Sequence, residues 1–266
     1  MFYRVPIIAL LLYFAAVVCS AAQRSPAGIR DSEQDEVSLG TDFGTSTATA
    51  TVTVAELQVP AKARKELEKA RKAVHRHRLG QADQYVAKAL LAWPHYCQAL
   101  TLKSWLALRR QSYEQARVDA EMAVQYNPND YLALMTLADS YMFLNRLDDA
   151  LHAIDRSMEL KPNAWQGYYE KGKLSILRGN WPGALRATEK AFSLTTENAY
   201  LHLLRIFAFA GMKDQSAADR EMAAFRRLKP EAFWSPELKS AFNGIGYHTD
   251  LPTDVPRGNN AAATHP

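Results

Sequence analysis

Cysteine is almost absent from this sequence, which contains two cysteines in 266 residues. Cys19 lies within an amino-terminal apolar stretch, so Cys97 is the only cysteine in the rest of the chain. A single thiol cannot form an internal disulfide or supply a cysteine-based structural zinc site. A lone cysteine in a helical sequence is most often a small buried apolar residue.

Glycine, proline and excess charge are also limited. The sequence has 12 glycines and 12 prolines, too few for a collagen-like or wholly disordered chain. The net charge of +4 is too small to indicate binding to nucleic acid.

Sequence motifs for catalysis are absent as well. The chain has no glycine-rich phosphate loop, nucleophile elbow or HExxH motif. His75 and His77 come nearest to a metal motif, but alternate residues of a helix point in different directions. We therefore interpret this stretch as the solvated basic end of a helix, and we expect no catalytic, cofactor-binding or metal-binding residues.

Residues 1–22 have the layout of a secretory signal peptide: Arg4, an apolar run from Val5 to Val18, then small residues. The run is shorter than the roughly 20 residues of a membrane span. The chain also lacks an Asn-X-Ser/Thr acceptor, which fits a bacterial protein better than a eukaryotic secreted one. The sequence thus predicts export, with a periplasmic or secreted product. Two alternatives are an uncleaved membrane anchor and lipidation at Cys19, as in an envelope-assembly or pilotin-like lipoprotein.

Residues 23–59 are rich in serine, threonine and acidic side chains, a composition typical of a flexible linker. Within them, the stretch from Thr47 to Pro60 alternates threonine and valine. This alternation allows two interpretations. One is a β-strand that adds to the edge of a partner's sheet, and the other is an extended lead-in to the first helix.

Small residues recur every 34 residues in five registers that start at Ala63, Cys97, Tyr131, Trp165 and Ala199. The twentieth position is always alanine: Ala82, Ala116, Ala150, Ala184 and Ala218. The eighth position holds Ala70, Ser104, Ala138, Gly172 and Ile206, and the twenty-seventh holds Ala89, Ala123, Ser157, Ala191 and Phe225. Small side chains at a fixed spacing let two helices approach closely, so the period predicts a stack of helical hairpins.

Proline marks the end of most of these units, at Pro94, Pro128, Pro162 and Pro230. Proline cannot continue a helix, because it lacks the N–H and clashes with the preceding turn. Pro182 lies instead at the expected start of a second helix, where the missing N–H is tolerated.

The region from Pro60 to Pro230 resembles the tetratricopeptide repeat family. The third unit, from Tyr131 to Pro162, resembles the family most closely, and it carries Leu137, Ala138, Tyr141, Ala150 and Ile154 at the typical places. The outer units depart from the pattern, as at Glu66 in the first and Phe225 in the fifth. The resemblance implies an all-α, right-handed solenoid of five helix-turn-helix repeats over residues 60–230.

Residues 231–247 are predicted to form a short capping helix over the last repeat. Ser235, Pro236 and Glu237 suit a helix start, while Leu238, Ala241 and Phe242 would face inward and Asn243-Gly244 would end it. The tail of residues 248–266 is predicted to be disordered.

The resemblance also implies that the first helix of each repeat lines a concave groove for a protein or peptide. The predicted groove residues are Arg71, Trp105, Met135, Asp139, Tyr169, Lys173, Tyr200 and Phe207. Of these, we expect Trp105, Met135, Tyr169, Tyr200 and Phe207 to be exposed anchors.

The sequence therefore predicts a non-enzymatic scaffold or adaptor that binds a protein or peptide and no nucleic acid. It would touch a membrane only through an uncleaved or lipidated leader. The basic first helix, Lys62 to Arg78, allows two further interpretations: a site for an acidic peptide or anionic lipid, or an ordinary charged outer face. The oligomeric state and the partner stay open.

Overall fold

The computed structural model describes residues 58–228 and 242–247 of the chain. In the first range, ten α-helices form five antiparallel pairs, which we number hairpins 1 to 5. They are α1 Ala61–His75, α2 Leu79–Ala92, α3 Cys97–Arg109, α4 Tyr113–Tyr126, α5 Tyr131–Phe143, α6 Leu147–Leu160, α7 Trp165–Leu177, α8 Trp181–Phe192, α9 Ala199–Gly211 and α10 Gln215–Leu228. The predicted leader, the predicted tail and nearly all of the predicted linker lie outside the described residues.

The small residues of the 34-residue period lie where the helices cross. All five alanines at the twentieth position are fully buried. The residues at the eighth and twenty-seventh positions are buried as well, including Ile206 and Phe225 in hairpin 5. The predicted all-α solenoid is thus confirmed, and its core runs as a chain of clusters between successive hairpins.

The turn within each hairpin has the same backbone geometry. Its fifteenth residue is left-handed each time, with φ between 54° and 70°, at His77, Gln111, Asn145, Gly179 and Lys213. The next amide then bonds back to a carbonyl of the first helix, as from Arg146 N to Tyr141 O at 2.8 Å. This is the usual way to satisfy the last carbonyls of a helix. Only one of the five residues is glycine, so the sequence did not reveal the turn.

The boundary predicted from Pro182 is correct. Pro182 lies in the first turn of α8, and the side chain of Asn180 caps that helix by accepting a hydrogen bond from Gly183 N at 3.0 Å. Proline at this position loses no intrahelical hydrogen bond.

The first helices form the inner layer of the stack. Helices α3, α5, α7 and α9 contact one another in succession, and each also packs against its own second helix. Within the two described ranges, no helix combines the length and apolar character that crossing a membrane requires.

Residues 242–247 cover the open end of hairpin 5. Phe242 is buried as predicted, with its ring 5.4 Å from that of Phe207. The buried Tyr247 donates a hydrogen bond from its hydroxyl to Asp219 of α10 at 2.7 Å. The helical turn includes Gly244, and the chain reverses at Gly246, whose φ is 73°. The predicted stop at Asn243-Gly244 is therefore wrong by a short distance, and residues 231–241 lie outside the described part.

Candidate functional site

The predicted groove residues differ sharply in exposure along the stack. Arg71, Trp105 and Asp139, on α1, α3 and α5, are partly exposed. The other five are buried: Met135, Tyr169, Lys173, Tyr200 and Phe207. Among the five expected anchors, exposure is confirmed in part for Trp105, and the prediction was wrong for the rest.

These buried side chains belong to the packing between hairpins. Tyr169, Tyr200 and Phe207 share one apolar cluster, to which Phe242 also contributes. Met135 lies deeper than expected, with its sulfur 3.3 Å from the hydroxyl oxygen of Ser157. A partner could reach Phe207, which has no exposed surface, only after the carboxyl-terminal hairpin had rearranged.

The accessible part of the inner layer is its amino-terminal half. Here the guanidinium of Arg109 lies 5.1 Å from the ring of Trp105, a cation–π arrangement. Arg71 donates hydrogen bonds to Glu68 at 2.8 Å and across the hairpin boundary to Gln98 at 3.0 Å. Two arginines and an indole are thus partly exposed on the neighbouring helices α1 and α3, a combination suited to a carboxylate next to an apolar side chain.

A buried charged cluster lies between α5 and α7. The ammonium of Lys173 is 2.6 Å from Asp139 Oδ1 and 2.6 Å from Glu170 Oε2. Lys173 and Asp139 occupy the ninth position of adjacent repeats, so their separation of 34 residues sets them side by side. Lys173 also lies 5.3 Å from the ring of Tyr169. The ninth position of the repeat, which was predicted to bind a partner, therefore links hairpin 3 to hairpin 4 at this point.

Burial makes this cluster unusual. Desolvation, reinforced by the charge of Asp139, raises the pKa of Glu170 to about 8, although Lys173 acts in the opposite direction. Glu170 Oε2 touches the Lys173 ammonium but accepts no well-aligned hydrogen bond. The hydroxyl of Tyr131 is also buried without a hydrogen bond, and burial raises its pKa, with the charge of Glu170 adding to the effect. The pKa of Glu170 is thus raised as long as α5 and α7 stay packed together and keep this carboxyl group buried.

Sequence reasoning left Glu170 and Arg109 out of the candidate set. Glutamate is a common residue in helices, and Glu170 stands at a position that usually faces a neighbouring helix. Only its burial, which the sequence does not show, makes it notable. Arg109 occupies a groove position but gains significance from its contact with Trp105. Over the two described ranges, no three histidine, cysteine, aspartate or glutamate residues are placed to hold a metal ion.

Helical hairpins stacked at a fixed sequence spacing define the class of α-solenoids. Residues 107–171 match the model of the tetratricopeptide repeat family. The described part of this chain has the fold of a tetratricopeptide-repeat solenoid, and that fold is a protein-interaction module.

Known proteins are similar to parts of this chain. U-box domain-containing protein 70 from Oryza sativa subsp. japonica is 29% identical over 77 residues, which is 29% of this chain and only 10% of the rice protein. TTC0263, a tetratricopeptide-repeat protein of Thermus thermophilus, superposes with a TM-score of 0.59 at 16% identity, over 70% of this chain and 98% of that one.

Two further solved structures are similar. MamA of Desulfovibrio magneticus RS-1 gives a TM-score of 0.54 at 16% identity, over 65% of this chain and 97% of that chain. Pseudomonas aeruginosa PilF gives a TM-score of 0.54 at 19% identity, covering 68% and 81% respectively. At these identities the likeness concerns the fold alone.

Proposed function

We propose that this protein is a non-enzymatic adaptor that binds a segment of another protein along α1, α3 and α5. The observation that carries this proposal is the partly exposed Trp105 with Arg109 against its ring and Arg71 on the neighbouring helix. Tryptophan and arginine contribute large shares of binding energy at protein interfaces. The ligand suited to this surface is an acidic peptide segment with an apolar side chain beside a carboxylate.

The apolar anchor should lie against the indole, while the carboxylate pairs with a guanidinium. Arginine can bind a carboxylate through two parallel hydrogen bonds, which fixes orientation as well as affinity. The buried carboxyl-terminal half, including Tyr200 and Phe207, would hold this surface in shape without touching the ligand. We therefore assign binding to hairpins 1 to 3 and support to hairpins 4 and 5.

Peptides selected from a random phage-displayed library on the wild-type protein should lose at least tenfold in affinity for the Trp105→Ala variant. The reason is the loss of the central apolar anchor, since interface tryptophans commonly contribute about 2 kcal/mol or more. Trp93→Ala is the matched control, because Trp93 is also a partly buried tryptophan but follows α2, a second helix, rather than lying on a first helix. Equal binding to the wild type and to a folded Trp105→Ala variant would show that the ligand binds elsewhere.

We also propose that the adaptor works in the bacterial envelope after export. The support is the order of Arg4, the apolar run and the small residues within 1–22. In a bacterial host, the mature protein should begin at Ala22 or Gln23 without a lipid, as measured by intact mass. A lipid-modified Cys19 at the amino terminus would favour the lipoprotein alternative instead.

A further inference from the structure

Helix α1 differs from the other first helices on one face, which is the face that carries the third and tenth positions of the repeat. At the third position of repeats 2 to 5 this face carries the buried residues Ala99, Ala133, Gly167 and Leu201. At the tenth position it carries the buried residues Leu106, Ser140, Leu174 and Ala208. In repeat 1 the same positions are Lys65 and Lys72, both exposed. Lysine therefore replaces packing residues in the first hairpin that the structure describes.

These two lysines are part of a basic stripe. Lys62, Lys65, Lys69 and Lys72 follow one side of α1 at intervals of three or four residues. We call these four residues the lysine stripe. Lys69 pairs with Glu66 at 2.5 Å and lies 5.6 Å from the ring of Tyr85. The other three have no carboxylate within ion-pairing distance among the residues that the structure describes.

The lysine stripe prevents further stacking on this end. Another hairpin or a second copy of the chain would have to bury unpaired ammonium groups, which is strongly unfavourable. A polar outer face is usual at the end of a solenoid. Such a face can be polar without carrying more positive than negative charges. Here the cations are in excess, so the face suits an anionic occupant.

The chain itself carries such an occupant a short distance upstream. Residues 31–42 contain no basic side chain and five acidic ones: Asp31, Glu33, Asp35, Glu36 and Asp42. We infer that this acidic segment folds back and docks on the lysine stripe. The connection is long enough, because residues 43–60 can span roughly 60 Å when extended, whereas α1 is about 22 Å long.

The connection through residues 43–60 favours the acidic segment over anions that are not part of the chain. A covalent connection of this length gives a local concentration in the millimolar range, which a separate acidic peptide or a lipid headgroup seldom reaches. The chain also arrives at the correct end of the stack, since Val59 is buried against hairpin 1.

A nitroxide on a cysteine introduced by Ser38→Cys tests this contact in the full chain, with Cys19→Ala and Cys97→Ala removing the other thiols. At about 50 mM salt, the amide signals of residues 62–72 should lose more than half their intensity. At about 500 mM salt the signals should return, because screening shortens the range of exposed charges.

Two triple variants decide whether the lysine stripe is the site. Lys62→Gln, Lys65→Gln and Lys72→Gln together should abolish the signal loss. The same charge change made with the exposed Arg186→Gln, Lys190→Gln and Lys213→Gln should leave it intact.

Three results would overturn the inference. Signal loss around Trp105 instead of α1 would place the segment in the groove. If the amide signals lost no intensity at low salt, the lysine stripe would be in contact with solvent alone. Binding to phosphatidylglycerol vesicles through these lysines, without signal loss in the free protein, would identify a membrane surface as the occupant.

Discussion

Replacing Phe207 with alanine should lower the free energy of unfolding by about 3–5 kcal/mol, the range for removing a large aromatic side chain from a packed core. Phe207 has no exposed surface, and it joins α9 to Phe242 of the carboxyl-terminal cover. Chemical denaturation followed by circular dichroism would measure the loss. Because solenoids unfold through neighbouring units, hairpin 5 should open first.

Phe209→Ala provides the matched control on the same helix. Phe209 is only partly buried, and the guanidinium of Arg205 lies 5.6 Å from its ring. Its removal should cost clearly less than the removal of Phe207. Equal losses, or a Phe207→Ala protein of normal stability that no longer binds ligand, would restore Phe207 to the binding surface and contradict its structural role.

Replacing Lys173 with methionine should destabilise the protein by about 3 kcal/mol, since removing one partner of a buried ion pair leaves the other uncompensated. In this case the carboxylate of Asp139 and the carboxyl group of Glu170 would remain together without the ammonium 2.6 Å from each. The partial exposure of Asp139 places the expected loss at the low end of the usual range. Urea denaturation at fixed pH measures the change.

The pH dependence of the free energy of unfolding isolates the contribution of Glu170 from that of the Lys173–Asp139 ion pair. Its folded pKa of about 8 lies above the ordinary value of 4.5, so the folded chain retains a proton that the unfolded chain releases. The stability from this group is therefore fully present below about pH 4.5 and is lost as the pH rises towards 8. Glu170→Gln should flatten this part of the profile. The Lys173→Met defect should be larger at pH 8 than at pH 5, and identical profiles for all variants would contradict the buried cluster.

The fold could be predicted from the sequence because its determinants are local and repeated. Close helix crossings accept only small side chains, so alanine recurred at the twentieth position and gave the period. The prolines and Pro182 then located helix boundaries through the missing N–H. The turn at residues such as Gln111 stayed hidden, since its left-handed backbone is held by main-chain hydrogen bonds.

The candidate site could be predicted only in part, because groove position and exposure are different properties. Trp105 and Tyr169 occupy comparable places on first helices, yet one is partly exposed and the other buried. The difference depends on what packs beside each helix, which a repeat register does not contain. Lys173 illustrates the same limit: its residue type suggested a ligand contact, and its position beside Asp139 makes it a link between hairpins.

The left-handed turns also bear on how much sequence the five hairpins need to share. His77, Gln111, Asn145, Gly179 and Lys213 share one backbone shape without sharing a side chain. A bend held by main-chain bonds accepts many side chains, whereas the alanine at each crossing is confined by the two helices that meet there. Five hairpins can therefore share one architecture while they share little sequence outside the crossings.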